Sequence, residues 1–391
     1  SNFQPLLNFP RILDFENKKA FFRSNLRSLQ TQSYGGIRIS CRREHVFEDS
    51  FMHVRRHSPE ELRGALHVTF EGEPGIDAGG LTREWFVVLA REMFNPDYAL
   101  FIRSADNTFQ PNPMSKINIE HLDYFMFVGR VLGLALITGN FLDAHFTRSL
   151  YKHIVGLPIT YHDLESIDPE YYRSIQYIYD NDPAPLMLTF EVDHEEFGVR
   201  QSVELKENGS QIHVTNENKR EYIQLVSELK MTTSIKSQLK NLLQGLYDVV
   251  PKKLLHIFTE NEIELLISGL PEIDVDDWRA NTEYQGYHAD SPQIQWLWQC
   301  IREFSSEERA LLLQFVTGTS KVPLDGFASL PGMRGNVQIF SVHRSHANTN
   351  SLPTSHTCFN QLDLPEYESL EMLRDRLSLA LRLGNEGFGF G

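Results

Sequence analysis

Cysteine is scarce in this chain of 391 residues, limited to Cys41, Cys300 and Cys358. The three are far apart, odd in number and without a Cys-x-x-Cys pair, which excludes a disulfide framework and a structural zinc site and points to a reducing compartment. Basic charge is also short. Lys and Arg total 37 against 52 Asp and Glu, a net charge of −15, opposite to the basic face that nucleic-acid binding requires. The balance suits solubility or a partner with a basic patch. No apolar run is long enough to span a membrane: Phe125 to Ile137 is interrupted by Arg130 and falls short of about 18 residues, so a buried helix is expected there. The first residues show no apolar signal-peptide core. The chain begins Ser1-Asn2 rather than with Met and is expected to be a piece of something longer. Repeats and low-complexity segments are absent. The paired glycines of Asp77-Ala78-Gly79-Gly80-Leu81 suggest a tight turn into a helix, but no Gly-Lys-Ser/Thr follows to make a phosphate loop.

What is present is a globular pattern, 41% hydrophobic and 23% charged, long enough for two or three structural units. A helix is expected from Pro10 to Leu29 and a strand from Leu66 to Phe70. Gly129, Gly133 and Ala135 are spaced for close helix packing. His145 has no second ligand at helical spacing and reads as structural. A helix over Glu170 to Tyr179 precedes a hairpin in which Val203 and Leu205 face Ile212 and Val214 across Asn208-Gly209. A long helix follows, with Ile235, Leu239, Leu242 and Leu246 on one face, stopped by Pro251. Gly269-Leu270-Pro271-Glu272-Ile273-Asp274 is the best domain boundary. Beyond it, Ile294, Leu297, Trp298 and Ile301 share a face with Cys300 packed beside them. The last helix aligns Leu370, Leu373, Leu377 and Leu381 before the tail Glu386-Gly387-Phe388-Gly389-Phe390-Gly391.

The informative segment is Leu352-Pro353-Thr354-Ser355-His356-Thr357-Cys358-Phe359-Asn360. A lone cysteine is more often a small buried hydrophobe than a catalyst. Here it follows a proline-broken polar stretch, so a presented nucleophile is expected. If the segment is extended, His356 shares a face with Cys358. It is then placed either to draw a proton from the thiol or to be held by a backbone hydrogen bond. A protease would need a third orienting residue and its own local signature. A cysteine phosphatase would need histidine directly before the cysteine and arginine six residues after, where Thr357 and Leu364 stand.

The segment resembles, residue for residue, the active-site signature of HECT-type ubiquitin ligases, and the resemblance extends along nearly the whole chain. It looks most like the giant Mule-type members and their fungal relatives. The resemblance implies an α+β, bilobal fold with a large, mostly helical amino-terminal lobe over 1–272. A conjugating-enzyme-binding subdomain would occupy about 160–260, and a smaller α/β catalytic lobe 273–391, joined by a hinge at Gly269 to Asp274. It implies ubiquitin carried as a thioester on Cys358, received from a conjugating enzyme and passed to lysine of protein substrates. The groove for that enzyme would include Ile175, Ile178, Leu188 and Tyr222, although bottom-up each is more often a core residue. Phe388 matches the aromatic that orders the lobes for transfer. The rival is a module that binds ubiquitin or the conjugating enzyme without catalysis, and the intact motif disfavours it. No cofactor, metal, nucleic acid or membrane is implied, and the location would be cytoplasmic or nuclear.

Two chemical demands follow. A thiol of pKa about 8.5 is roughly 3% thiolate at pH 7, enough for a near-balanced thioester exchange given proximity. A lysine amine is only about 0.04% neutral at that pH. An acceptor for its proton would help, with His356 and Asp363 as candidates.

Overall fold

In the computed structural model, which describes residues 13–384, the described residues bury their apolar side chains in three hydrophobic clusters. The largest is built on two helices, His121–Thr138 and Lys236–Val249. Glycines bring them into backbone contact. A Cβ on Gly129 would stand 2.0 Å from the Leu242 carbonyl oxygen, and one on Gly245 2.0 Å from that of Met126. The first of these helices is 18 residues and apolar enough to cross a membrane by length and composition, longer than the run Phe125 to Ile137 suggested. It is the centre of the core: Phe125, Val128, Val131, Leu132, Leu134 and Ala135 are fully buried.

Around it pack the helices Phe15–Gln32 and Ala78–Met93 and the parallel strands Gly36–Cys41 and Ala65–Phe70. The first helix begins after Asp14, whose carboxylate accepts from Asn17 N at 2.9 Å, an N-cap that replaces the expected start at Pro10. Gly79 and Gly80 are not a turn before a helix but its first turn, capped by Asp77. Lys18, wholly buried, donates to Glu262 at 2.6 Å and ties the first helix to Glu260–Ser268.

The second cluster spans Ile159 to Met231. The subdomain therefore closes before the helix Lys236–Val249, short of the expected boundary at about 260. That helix belongs to the large core because its glycine face fits His121–Thr138. The expected hairpin is also re-registered. Strand Val199–Glu204 pairs with Glu191–Glu196 around Phe197-Gly198, both at positive φ, with Val203 opposite Val192. Asn208 instead opens a short 3-10 turn, Gly209–Gln211. Gly209 lets the chain pass so close to Phe190 that a Cβ would meet its carbonyl oxygen at 2.3 Å. Ile212 and Val214 consequently run beside Leu188 and Phe190 rather than Val203 and Leu205. Asn-Gly marked a turn, but the competing pair Phe197-Gly198 closed the hairpin.

The chain reaches the third cluster through Gly269, at φ +83°, and Leu270 to Asp274, where Asp274 caps the helix Val275–Ala280. Helices Pro292–Glu303, Ser306–Thr317 and Leu370–Leu383 cover a four-stranded sheet. Its order is Thr282–Gln285, Phe340–Ser345, Gln361–Pro365, Thr354–His356, with only the last pairing antiparallel. Ile294, Leu297, Trp298, Cys300 and Ile301 are buried together, as the helical spacing requires. The fold is α+β and bilobal.

Candidate active site at the seam between the lobes

Cys358 stands on a 3-10 turn, Thr357–Phe359, that joins the edge strand Thr354–His356 to its neighbour Gln361–Pro365. The turn is fastened from both sides. Ser355 Oγ donates to the Phe315 carbonyl at 2.5 Å. Asn360, in the left-handed region at φ 48°, donates from its amide to the carbonyls of Gln338 and Pro331. Asparagine tolerates that conformation better than most side chains. The segment is extended only as far as His356, so the expectation that His356 and Cys358 share a strand face does not hold.

His356 faces two carboxylates instead. In the antiparallel pairing Gln361 opposes His356, which puts Asp363 diagonally across the same face. Asp363 Oδ2 lies 3.0 Å from Nε2, and Glu165 Oε1, from the other lobe, lies 2.8 Å from Nδ1. Asp363 first and Glu165 second hold the imidazolium, against the cost of burial, and lift its pKa to about 10. With both ring nitrogens donating, His356 cannot accept a proton from the thiol or from an incoming amine in this arrangement. It is a charged bridge across the seam. Burial raises the Asp363 carboxyl and the His356 hydrogen bond lowers it, for a net downward shift.

The thiol itself is not presented. Cys358 is 2% exposed, and its Sγ donates to the backbone carbonyl of Glu165 at 2.8 Å. Glu165 belongs to the single-turn helix Leu164–Ile167 of the amino-terminal lobe. Burial, then the carboxylates of Asp106 and Glu165, push the thiol pKa far up, so it is protonated here. Cys41 and Cys300 are buried in their own cores, with Cys41 raised by burial to about 11. Sequence reasoning separated Cys358 from these two by motif, yet burial alone would not.

The rest of the seam is largely polar. Glu264 accepts from Gln314 Nε2 at 3.1 Å and from Ser320 N at 3.0 Å. Asn107 donates to the Gly332 carbonyl at 3.0 Å. His145 lies between Asp143 and Glu264 and beside Thr319, a structural role as its spacing suggested. Burial works against its charge, but the two carboxylates lift its pKa to about 9. Glu165, Glu264 and Asp106 were all missed from sequence. Glu165 lies 193 residues before Cys358, and no local spacing announces such a partner.

The structure brings Ile175, Ile178, Leu188 and Tyr222 together, but inside the subdomain. Ile175, Ile178 and Tyr222 are buried, with Leu188 packed against them. Three of the four therefore support the subdomain from within instead of lining an open groove: the helix Pro169–Asp180 turns Ile175 and Ile178, and the helix Lys219–Met231 turns Tyr222, into the same cluster as Phe190. The outward residue Tyr177 of the first of these helices, and Leu186 and Met187 beyond, are exposed. Phe388 lies outside the described residues. Among the described residues no group of three or more His, Cys, Asp or Glu side chains could hold a metal ion.

Comparison with known proteins identifies the family. Residues 87–391 match the HECT-domain (ubiquitin-transferase) family, and the chain belongs to it. It is 50% identical over 395 residues to the E3 ubiquitin-protein ligase TOM1-like of Neurospora crassa, covering 99% of this chain and 10% of that protein. It is equally similar, 50% over 396 residues, to the E3 ubiquitin-protein ligase HUWE1 of Mus musculus, covering 99% of this chain and 9% of the relative. With the E3 ubiquitin-protein ligase UPL2 of Arabidopsis thaliana the identity is 49% over 399 residues, 100% of this chain and 11% of the relative. The chain thus spans about a tenth of the length of these curated relatives.

Proposed function

We propose that this chain is the catalytic unit of a HECT-class E3 ubiquitin ligase. The Cys358 thiolate attacks the carbonyl carbon of ubiquitin's thioester on the conjugating enzyme, and the donor's C–S bond breaks as its sulfur leaves. A neutral substrate lysine then attacks the new thioester, forming an isopeptide bond as the C–S bond breaks, and the proton lost by the amine balances the thiolate released on Cys358, which leaves as the thiol. The observation that carries the reading is the placement of Cys358 at the tip of a strand-linking turn, in a chain that matches a family of ubiquitin transferases over most of its length.

The division of labour follows the three cores. The small subdomain, with Ile175, Ile178, Leu188 and Tyr222 setting the shape of its outer face, is the seat for the conjugating enzyme. The lobe of residues 273–391 carries ubiquitin, and Gly269 to Asp274 is the hinge. Phe388 serves the transfer to lysine by ordering the lobes. Cytoplasm or nucleus is the expected location, consistent with three free cysteines.

The test is incubation with charged conjugating enzyme followed by a non-reducing gel. Wild type is expected to give a thiol-labile ubiquitin adduct, Cys358→Ala none, and Cys358→Ser at most a slower, reductant-stable oxyester. A thiol-labile adduct persisting in Cys358→Ala would remove the nucleophile assignment. Conjugating enzyme captured with no adduct at all would leave a binding module.

A further inference from the structure

The contact between Cys358 and Glu165 excludes the thioester it precedes. The Sγ atom donates its proton to a backbone carbonyl at 2.8 Å with 2% of the residue exposed. A thioester replaces that proton with a carbonyl carbon and the chain attached to it. A close-packed seam has no room for such a group without moving atoms, and a backbone oxygen cannot swing aside like the end of a side chain. We propose that the uncharged chain rests with its lobes closed on Cys358, and that Glu165 is the gate: its carbonyl caps the thiol while its carboxylate latches the opposite lobe through His356.

The inference rests on Cys358 being the acceptor and adds how access to it is controlled. One residue performs both tasks, because Glu165 sits on a single helical turn, with its carbonyl directed at Sγ and its side chain at His356 Nδ1, 2.8 Å away. The seam is built to part. The lobes have separate apolar cores, and polar pairs run between them, Asn107 to Gly332, Gln314 to Asn261 and Glu264, and His356 to Glu165, as at interfaces that open and close. A cavity of about 250 Å³, lined by Arg148, Tyr172, Glu165, His356 and Thr357 among others, reaches the latch from outside. The latch side chains accordingly keep some exposure, 15% for Glu165 and 42% for His356, while the thiol does not. Water can compete for the ion pair before the thiol is uncovered. When the lobes part, Asp363, on the same sheet as His356, stays with the imidazolium and Glu165 is left behind.

The test reads thiol access without ubiquitin. Native protein is treated with iodoacetamide at one pH, and the rate at each cysteine is followed by mass spectrometry. Cys41 and Cys300, covered by their own lobes, serve as internal controls. Glu165→Gln is expected to speed Cys358 alkylation about fivefold, the effect that loss of a half-exposed ion pair can have, with the controls unchanged. His356→Asn breaks the same latch from the other lobe and should also accelerate it. The pair of variants separates a gate from a simple change in thiol pKa. Losing the Glu165 carboxylate makes the thiol more acidic and losing the imidazolium makes it less so, whereas opening speeds both. Acceleration in Glu165→Gln with slowing in His356→Asn would overturn the gate, as would a wild-type Cys358 that already reacts as fast as in urea. Faster alkylation with no ubiquitin adduct in any variant would leave the gate standing and remove the ligase reading. A normal adduct with unchanged alkylation in both variants would do the reverse.

Discussion

Cys358 and Tyr222 are hidden from solvent almost equally, at 2% and 5% exposure, but different parts of the chain hide them. Tyr222 is covered by its own subdomain, edge-on to Phe190 at 5.5 Å between ring centres and surrounded by Ile175, Ile178 and Val226. Cys358 is covered by the opposite lobe, through a hydrogen bond to a carbonyl 193 positions earlier. Burial inside one core is a condition of folding. Burial at a polar seam between two cores is reversible at the cost of a few hydrogen bonds. A reactive group can therefore be protected without being lost.

The largest expected effect tests the first half of that contrast. Tyr222→Ala removes an aromatic from a packed core and should cost about 3–5 kcal/mol of stability, with Ile178→Ala costing about 2–5 kcal/mol. Urea unfolding measures both. The reactivity of Cys358 in the folded fraction should not change. Weakened ubiquitin loading at undiminished stability would instead make Tyr222 a surface anchor and collapse the comparison.

Phe388 tests the second half. Phe388→Ala should leave loading of Cys358 intact and slow discharge to lysine, on the order of a hundredfold where register is lost by about 1 Å. A pulse-chase assay separates the steps. Equal slowing of both would indicate misfolding.

The hinge should respond more modestly, and the structure changes which substitution is informative. Gly269→Pro cannot adopt φ +83° and would remove the N–H that bonds Leu265 O at 2.9 Å, so it would damage the helix end as well as the hinge. Gly269→Ala keeps the hydrogen bond and costs about 1–3 kcal/mol, because φ +83° with ψ 171° is backbone that side chains other than glycine rarely adopt. A Cβ there would also crowd the Phe141 ring at 3.3 Å. Lowered thermal stability with altered loading and discharge rates is expected. Unchanged rates would show that the lobes do not pivot at this residue.

The smallest effect is the pH dependence of the latch. The pKa of His356 is raised to about 10 by Asp363 and Glu165, above an ordinary value of about 6.5. Its contribution is thus fully present below pH about 6.5 and lost as pH rises through about 10. The stability difference between wild type and His356→Asn should shrink over that interval. With the ring 42% exposed, solvent screening holds the difference under about 1 kcal/mol. Urea titrations at pH 6, 8 and 10 would measure it, and a difference that grows with pH would mean that the imidazolium is not the stabilising form.

Much of the molecule was legible before its structure. Helical spacing placed the core faces of Lys236–Val249, Pro292–Glu303 and Leu370–Leu383, because apolar periodicity is a local property of the chain. Small residues at 129 and 133 announced the tight helix pair. The motif around Cys358 set it apart from Cys41 and Cys300. The hairpin was misplaced because two turn signals, Phe197-Gly198 and Asn208-Gly209, lay within reach of the same strands, and packing against Phe190 chose between them.

By itself the sequence determined which cysteine stands in a distinct local setting, which segments are helices and where the chain passes from one core to the next, since these depend on neighbours a few residues apart. Tertiary structure alone decided that His356 is a doubly paired imidazolium, that Ile175 and Tyr222 lie inside a core, and that the Cys358 thiol is capped by Glu165. Each of these depends on a pairing across strands, helices or lobes, and the energy of such a contact resides in the approach of two surfaces, which no local spacing records.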